Sequence, residues 1–294
     1  MKLSGIYVPH ITPFNKDQSI NYEALKTCIN YWINSGLSGL VTLGSNGEFP
    51  YILREERTKL IKTVIDYVNG KTQIIVGTGA PSTIETIKLS KEAIDLGADA
   101  LIIVPPYYFK VSSQDLIEHY KKILNKIDAS IILYDVPKFT GYSVEVTVFE
   151  KLVNEYSQII GIKDSSNNLL HISELIRRIG DKIAILGGTS RVILPTLVLG
   201  GKGAIVAVAN FMPKQIVKLY KAFRNGNLEE ARKIQLKVNQ ITDFMKAYNQ
   251  IAIVKAITNI IGLPAGIPRN PIQPIKGEEL EKVRKFIEKI ELTR

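Results

Sequence analysis

Eight short runs rich in isoleucine and valine recur along the chain, and an amphipathic segment follows most of them. The runs start at residues 6, 39, 73, 100, 130, 158, 182 and 203, which gives intervals of 33, 34, 27, 30, 28, 24 and 21 residues. They are continuously apolar rather than alternating, which is typical of strands buried on both faces. Each interval has room for one strand, one crossover helix and two short loops. The repeat therefore predicts an α/β fold, a closed (β/α)₈ or TIM barrel.

The repeat stops before the chain does. Residues 1–225 are predicted to form the barrel, and residues 226–294 a C-terminal helical extension packed on it. Within this extension Leu228 to Ile261 and Gly277 to Ile290 have helical patterns, and Gly262 to Pro274 is a proline-rich connection. An open doubly wound sheet is the alternative, but no Gly-x-Gly-x-x-Gly motif follows any of the runs, so a dinucleotide-binding fold has no support.

Charge and composition exclude several classes of protein. The formal net charge is +10, but the lysines and arginines are spread over predicted helices and interleaved with acids, which argues against a nucleic-acid surface. The longest apolar stretch, Val192 to Met212, is interrupted by proline, glycines and a lysine, so we expect no membrane span. No apolar signal segment stands at the start, which predicts a cytoplasmic protein. The one cysteine, Cys28, excludes an intrachain disulfide.

The histidines give no metal-binding motif. There are three of them, His10, His119 and His171, and none lies at metal-ligand spacing from another. We therefore expect neither a metal nor a cofactor.

A barrel carries its active site at the carboxyl ends of its strands. Lys163 closes the apolar run Ile159–Ile162, so its stem rises from the packed barrel and its amine faces the mouth. Burial favours the neutral amine, which is the form that attacks a carbonyl to make a Schiff base. The alternative is a structural lysine paired with a carboxylate, Asp164 or Asp135.

Three further features end strands at the same height. Tyr134, one strand away, can pass protons to and from a hydroxyl, or it can merely cap the barrel core. The loop Gly44–Glu48 precedes a helix and offers backbone N–H groups that can bind a carboxylate. The segment Gly187–Arg191 can hold a phosphate or a distal carboxylate, or only turn the chain.

Together these segments resemble the dihydrodipicolinate synthase/N-acetylneuraminate lyase superfamily of pyruvate-dependent class I aldolases. The resemblance runs from Ile11-Thr12-Pro13-Phe14 to the helical tail. The matching segments are Gly44-Ser45-Asn46-Gly47-Glu48, Pro106-Tyr107-Tyr108, Tyr134-Asp135-Val136-Pro137 with Thr140-Gly141, and Gly161-Ile162-Lys163-Asp164.

The resemblance implies a barrel with a three-helix tail that assembles as a homotetramer, a dimer of dimers. Lys163 would form a Schiff base with pyruvate or another 2-oxo acid, and Tyr134 would shuttle protons while the carbon–carbon bond breaks or forms. Ser45 would relay protons to Tyr108, which in part of the family reaches in from a neighbouring subunit. Ser45 and Asn46 would hold the pyruvate carboxylate.

Four more residues are implied to line the pocket. Gly188 and Ile205 align with pocket-lining positions of the family, and Thr189 and Ser165 are candidate partners for the hydroxyls of a sugar acid. The predicted partners are thus a small 2-oxo acid and an aldehyde, with no nucleic acid and no membrane.

The branch within the superfamily depends on one position. The dihydrodipicolinate synthases carry an arginine shortly after the Tyr-x-Val-Pro motif, which binds the carboxylate of the aldehyde; here Phe139 stands there, beside Lys138. A phenyl ring cannot pair with a carboxylate. We therefore expect an aldolase for a 2-keto-3-deoxy sugar acid or 4-hydroxy-2-oxoglutarate.

Three alternatives stay open. One is 4-hydroxy-tetrahydrodipicolinate synthase, which condenses pyruvate with aspartate semialdehyde. Another is a barrel that binds 2-oxo acids without catalysis, and the third is a phosphate-sugar isomerase built on Gly187–Arg191.

Overall fold

Eight parallel strands form a closed barrel in the computed structural model, which describes residues 1–292. Each strand pairs with its successor, and β1 pairs with β8 to complete the ring. Every strand begins within two residues of its predicted start. The TIM barrel is thereby confirmed, and the open sheet is wrong. The strands are β1 Gly5–Pro9, β2 Gly39–Thr42, β3 Gln73–Gly77, β4 Ala100–Ile103, β5 Ile131–Asp135, β6 Ile159–Asp164, β7 Ala184–Gly187 and β8 Gly203–Ile205.

Helices cover the outside of the barrel. Several of them begin at a side chain that caps the first turn; Asn21, Ser82, Ser112 and Asn168 each accept a backbone N–H two or three residues ahead. The barrel helices are α1 Tyr22–Ile33, α2 Arg54–Val68, α3 Thr83–Asp95, α4 Ser113–Leu124, the single turn α5 Pro137–Thr140, α6 Val146–Glu155, α7 Leu169–Ile179, α8 Ile193–Val198 and α9 Pro213–Arg224.

The C-terminal extension contains three helices, α10 Leu228–Met245, α11 Gln250–Ile260 and α12 Gly277–Lys289. The helical pattern from Leu228 to Ile261 thus divides into two helices, and the three-helix tail that the resemblance implied is present. Asn249 has extended backbone and its side chain accepts the N–H groups of Ile251 and Ala252, so it starts a new helix. Apolar periodicity continues on both sides of this cap, which is why the break could not be seen in the pattern.

The extension packs on the helical layer through buried apolar residues of α10 and α11, among them Val238, Ile241, Ile253 and Ile257. A helical tail is therefore present, while a domain boundary at residue 225 stays a prediction.

Two apolar cores are separated by the barrel wall. Successive residues of each strand point alternately into the barrel and out of it. The inward residues form one core, in which Tyr134 packs with Ile102 and Ile132. The outward residues, such as Leu133 and Ile162, form the other core under the helices. This alternation decides which of two adjacent residues at a strand end can reach the barrel mouth.

Candidate active site

Lys163 and Tyr134 lie side by side inside the barrel. They are paired in the register of β5 and β6, and the Lys163 Nζ atom is 4.1 Å from the centroid of the Tyr134 ring. Both are buried, at 4% and 7% exposure. An amine over an aromatic face at this distance is in cation–π contact when it is protonated. The structure thus brings together the two residues that the sequence singled out first.

A small chamber surrounds the Lys163 amine. Its volume is about 20 Å³, and its other walls are mostly apolar. The lining comprises Val41, Leu43, Gly44, Ser45, Phe49, Gly77, Gly79, Ile102, Val104, Tyr134 and Lys163. A volume of this size holds about one water molecule.

A larger cavity of 590 Å³ shares Ser45, Phe49 and Val104 with the chamber and is walled by residues that follow β2, β4 and β5 and by residues of the C-terminal extension, including α11. Phe139, the residue at the arginine position of the synthases, is half-exposed and lines this cavity, as does Lys138.

The two carboxylates that could have paired with Lys163 point the other way. Asp135 follows Tyr134 and Asp164 follows Lys163, so strand alternation turns both acids to the outside of the barrel. There Asp135 accepts hydrogen bonds from Ser143 and Val144, and Asp164 contacts His171. Within residues 1–292 no carboxylate lies within 4.0 Å of the Lys163 amine. A structural ion pair is therefore the wrong interpretation of this lysine.

The loop after β2 brings Ser45, but not Asn46, to the walls of the chamber and of the large cavity. Ser45 is half-buried and lines both, while Asn46 is buried and its Oδ1 accepts the Gln250 side-chain N–H at 3.0 Å. Gln250 in turn accepts a hydrogen bond from the Lys138 ammonium at 3.2 Å. Asn46, Gln250 and Lys138 thus form a polar chain, of which Gln250 and Lys138 line the large cavity.

A buried ion pair anchors the same loop. Glu48 has a left-handed backbone with φ of 59°, a conformation that disfavours side-chain-bearing residues, and its carboxylate lies 2.5 Å from the Lys255 ammonium. Lys255 also donates to the carbonyls of Thr12 and Ile267, both at 2.7 Å. Burial lowers the pKa of Lys255 to about 8 despite the Glu48 charge. The tail helix α11 therefore holds the loop Gly44–Glu48 in place.

The predicted pocket residues at the ends of β6, β7 and β8 lie in different places. Ile205 is fully buried in the barrel interior. Gly188 and Thr189 line a separate cavity of 330 Å³ that adjoins the large one at Lys138, Tyr248 and Gln250. Ser165 is half-buried beside Gly188, where a Cβ atom would overlap its hydroxyl.

The predicted relay residue Tyr108 does not line any of these cavities. It is 87% exposed, and its ring packs edge-on against Phe109, which is also exposed. Tyr107 is the tyrosine that lines the large cavity; its ring packs edge-on against Phe49, and burial raises its pKa. A relay from Ser45 to Tyr108 is absent within the described residues of a single chain.

Reasoning from the sequence missed Gln250, Lys255 and the environment of His171. The first two lie on a tail helix far from the barrel motifs, and no local signal marks them. Asp135, Asp164 and His171 form a cluster in which one polar atom of each residue lies within 4.8 Å of the other two. Each nitrogen of the His171 ring faces a hydrogen-bond acceptor, which suits a proton-bearing imidazole better than a metal ligand.

Comparison with known proteins identifies the family. The model of the family described as "Dihydrodipicolinate synthetase family" matches residues 2–290. The chain belongs to this family. One similar curated protein is the "4-hydroxy-tetrahydrodipicolinate synthase" of Methanocaldococcus jannaschii, 38% identical over 279 residues that cover 95% of each chain. Another is an "Uncharacterized DapA-like lyase" of Pyrobaculum islandicum, 32% identical over 99% of this chain and 100% of that protein.

Solved structures agree with this assignment to the dihydrodipicolinate synthetase family. YagE, a prophage protein of the family from E. coli K12 in complex with pyruvate, superposes with a TM-score of 0.95 at 30% identity, covering 99% of both chains. A crystal structure of a dihydrodipicolinate synthase gives 0.93 at 37% identity, covering 99% of this chain and 100% of that one.

The resemblance read from the motifs is confirmed, and with it the expectation of a carbon–carbon lyase of the pyruvate-dependent aldolase superfamily. The match favours the lyase over the non-catalytic barrel and the phosphate-sugar isomerase. Among residues 1–292, none of the helices has the length and apolar character needed to cross a membrane. The cytoplasmic location stays a prediction.

Proposed function

We propose that this family member is a class I aldolase that uses Lys163 to form a Schiff base with a 2-oxo acid. The observation that carries the proposal is the buried Lys163 amine in a mostly apolar chamber, beside Tyr134 and away from every carboxylate of the described chain. A buried amine that no carboxylate engages can reach the keto carbon of a bound 2-oxo acid, as a Schiff-base nucleophile must.

In the cleavage direction the Lys163 amine attacks the keto carbon of a 4-hydroxy-2-oxo acid, and water leaves to give an iminium. Tyr134, which has given its phenol proton to the departing water, accepts the proton of the C4 hydroxyl and holds it for C3; the C3–C4 bond breaks, the C4 fragment leaves as an aldehyde, and the bonding electron pair passes into the enamine. Protonation at C3 regenerates the iminium, and water releases pyruvate and the free amine. The iminium serves as the electron sink, so the scheme requires no metal or other cofactor.

The chamber around Lys163 is too small for a whole substrate, so the reacting carbons would lie there and the rest would extend outward. The pyruvate carboxylate would contact Ser45 and Asn46, whose loop is fixed by Glu48. The remainder of the molecule would occupy the larger cavity or the cavity lined by Gly188 and Thr189, where Ser165 stands nearby. A 2-keto-3-deoxy sugar acid or 4-hydroxy-2-oxoglutarate suits this arrangement, because its reacting carbons would fill the small chamber and the rest of its chain would extend into a larger cavity.

A second candidate is condensation of pyruvate with an acidic aldehyde such as aspartate semialdehyde. Two observations favour it: the relative from Methanocaldococcus jannaschii is named as that synthase, and Lys138 places an ammonium at the junction of the two cavities. Lys138 could bind the aldehyde carboxylate that Phe139 cannot, although as a point charge rather than a bidentate donor.

We also propose a homotetramer in which a neighbouring copy covers Tyr108. The adjacent exposed rings of Tyr108 and Phe109 support a contact there, because exposed aromatic pairs mark interaction surfaces. Sedimentation equilibrium tests the assembly, and a strictly monomeric, fully active protein would contradict it.

The test of the Schiff-base proposal needs only pyruvate. Enamine formation exchanges the methyl hydrogens of pyruvate with solvent, so proton NMR in D₂O should show the methyl signal disappear in the presence of the enzyme. Lys163→Ala should stop the exchange, whereas the matched control Lys182→Ala, an exposed lysine just before β7 that bonds to Asn154, should retain it. Exchange that persists at the native rate in Lys163→Ala would refute the proposal. A panel of aldehydes, read by pyruvate consumption, then decides between the two candidates.

A further inference from the structure

On the outer face of the barrel, directly behind Lys163 and Tyr134, lies a buried charged cluster with no part in the scheme above. Asp135 and Asp164 are both fully buried, at 0% exposure, and the His171 side chain between them is 13% exposed. The two acids are the chain neighbours of the two proposed catalytic residues. They sit in register on β5 and β6, as Tyr134 and Lys163 do. Any contact that restrains the positions of the two acids therefore also restrains Tyr134 and Lys163.

The hydrogen bonds determine the protonation of the His171 ring. Nε2 lies 3.0 Å from the backbone carbonyl of Val144, which can only accept, so Nε2 carries a hydrogen. Nδ1 lies 2.5 Å from Oδ2 of Asp164. The other oxygen of Asp164 already accepts two hydrogen bonds, from the backbone N–H and the hydroxyl of Ser166 at 2.9 and 2.5 Å, so Asp164 acts as an acceptor here. Nδ1 therefore carries a hydrogen as well, and the ring is an imidazolium.

We propose that the His171 imidazolium is a positioning residue that joins the ends of β5 and β6 and thereby holds Tyr134 against Lys163. The inference rests on the proposed function of those two residues. His171 stands in the first turn of α7, where Asn168 caps its backbone N–H, so the ring reaches the strand ends from a fixed helix. Through Val144 it also holds the loop after α5, which donates to Asp135.

The charge of the ring is part of this role. Two carboxylates within 4.8 Å of each other repel strongly away from water, and the cation offsets that repulsion. Burial disfavours the imidazolium, but the hydrogen bond and the charge of Asp164 outweigh burial, so the pKa of His171 is raised. Burial also raises the pKa of Asp135 to about 6, against the hydrogen bonds from Ser143 and Val144.

The other titratable groups around the cluster are phenols. Tyr120 of α4 and Tyr142 of the loop after α5 both interact with Asp135, and both have pKa values raised by burial. They stay neutral in the pH range in which His171 titrates. Loss of the His171 proton would therefore leave two carboxylates without a cation, and the catalytic pair should lose its alignment above the pKa of His171.

The first experiment reads the protonation of the ring directly. Nitrogen-15 NMR of the histidine rings in the full-length protein should show His171 with both nitrogens protonated at pH 7, and the signal is assigned by its loss in His171→Gln. The chain has only three histidines, so the spectrum is simple. A neutral His171 ring at pH 7 would overturn the proposal whether or not Lys163 forms a Schiff base.

The second experiment compares variants by their pH profiles. His171→Gln should lower kcat about 100-fold, since a shift of about 1 Å between catalytic groups costs that much, with a smaller change in KM for pyruvate. The double variant Asp164→Asn/His171→Gln removes a negative charge along with the cation, so it should recover at least tenfold and lose the alkaline limb of the profile.

His119→Gln is the matched control, because His119 is a buried helical histidine bonded to Thr83 on the outside of the barrel. Its kcat should be unchanged. Equal activities and identical pH profiles for the native protein and His171→Gln would refute a positioning role. Because the proposed function is tested by pyruvate exchange in the native enzyme, failure of the two proposals can be told apart.

Discussion

Removing Lys255 should reveal how strongly the tail helix α11 stabilises the loop Gly44–Glu48. The Lys255 and Glu48 side chains are 1% and 0% exposed, and their charged atoms are 2.5 Å apart. Lys255→Met leaves the Glu48 carboxylate buried without a cation, and breaking a buried pair in this way costs about 3–5 kcal/mol. Glu48→Gln/Lys255→Met leaves no uncompensated charge, because the neutral amide at position 48 needs no cation. The double variant should therefore be about 2 kcal/mol more stable than Lys255→Met.

Urea denaturation measures these differences, and the chain supplies its own probe. Trp32 is the one tryptophan of the sequence; it is fully buried, and its indole N–H donates to the carbonyl of Asn210 at 3.0 Å. Both variants lose the hydrogen bonds from Lys255 to Thr12 and Ile267, so that cost cancels in the comparison. Equal free energies of unfolding for the single and the double variant would show that the buried charge on Glu48 is not what Lys255 compensates.

Three further predictions concern the site itself. Tyr134→Phe should lower kcat about 10²- to 10⁴-fold, the usual contribution of an acid–base group, yet still form the borohydride-trappable adduct with pyruvate; loss of the adduct would contradict a proton-shuttling role. Gly188→Ala should lower kcat/KM about tenfold or more, because its Cβ would overlap the Ser165 hydroxyl and lie 2.7 Å from the Asp164 carbonyl; steady-state assays with intact circular dichroism check this. The pKa of His171 is raised in the folded protein, so its protonation stabilises the fold. This contribution is complete below the pKa that His171 has in the unfolded chain, about 6.5, and is lost as pH rises through the pKa in the folded protein. The thermal midpoint of the native protein should fall over that range, and that of Asp164→Asn/His171→Gln should not.

The barrel could be predicted from the sequence because parallel strands buried on both faces leave a strong signal. Each of the eight apolar runs coincides with a strand, and the order of strands in a closed barrel follows from the order in the chain. The tail was less predictable, since the break between α10 and α11 depends on a single capping residue, Asn249, inside continuous apolar periodicity.

In the site, Lys163 and Tyr134 could be predicted because they end adjacent strands, and pairing in register then places them together. The partners that hold the site lie far away in the sequence. Lys255 reaches Glu48 from the tail, and Gln250 reaches Asn46 across 204 residues. His171 lies on a helix of the outer layer, where its position suggested no chemistry. Such contacts depend on tertiary packing and leave no local pattern.

Reductive trapping of pyruvate tests the central claim most directly. The native enzyme is incubated with pyruvate, reduced with borohydride, digested, and the peptides are mapped by mass. We expect one reduced pyruvyl adduct, on Lys163, and none in Lys163→Ala. A folded native enzyme that forms no adduct, or an adduct placed only on another lysine such as Lys255, would contradict the Schiff-base mechanism.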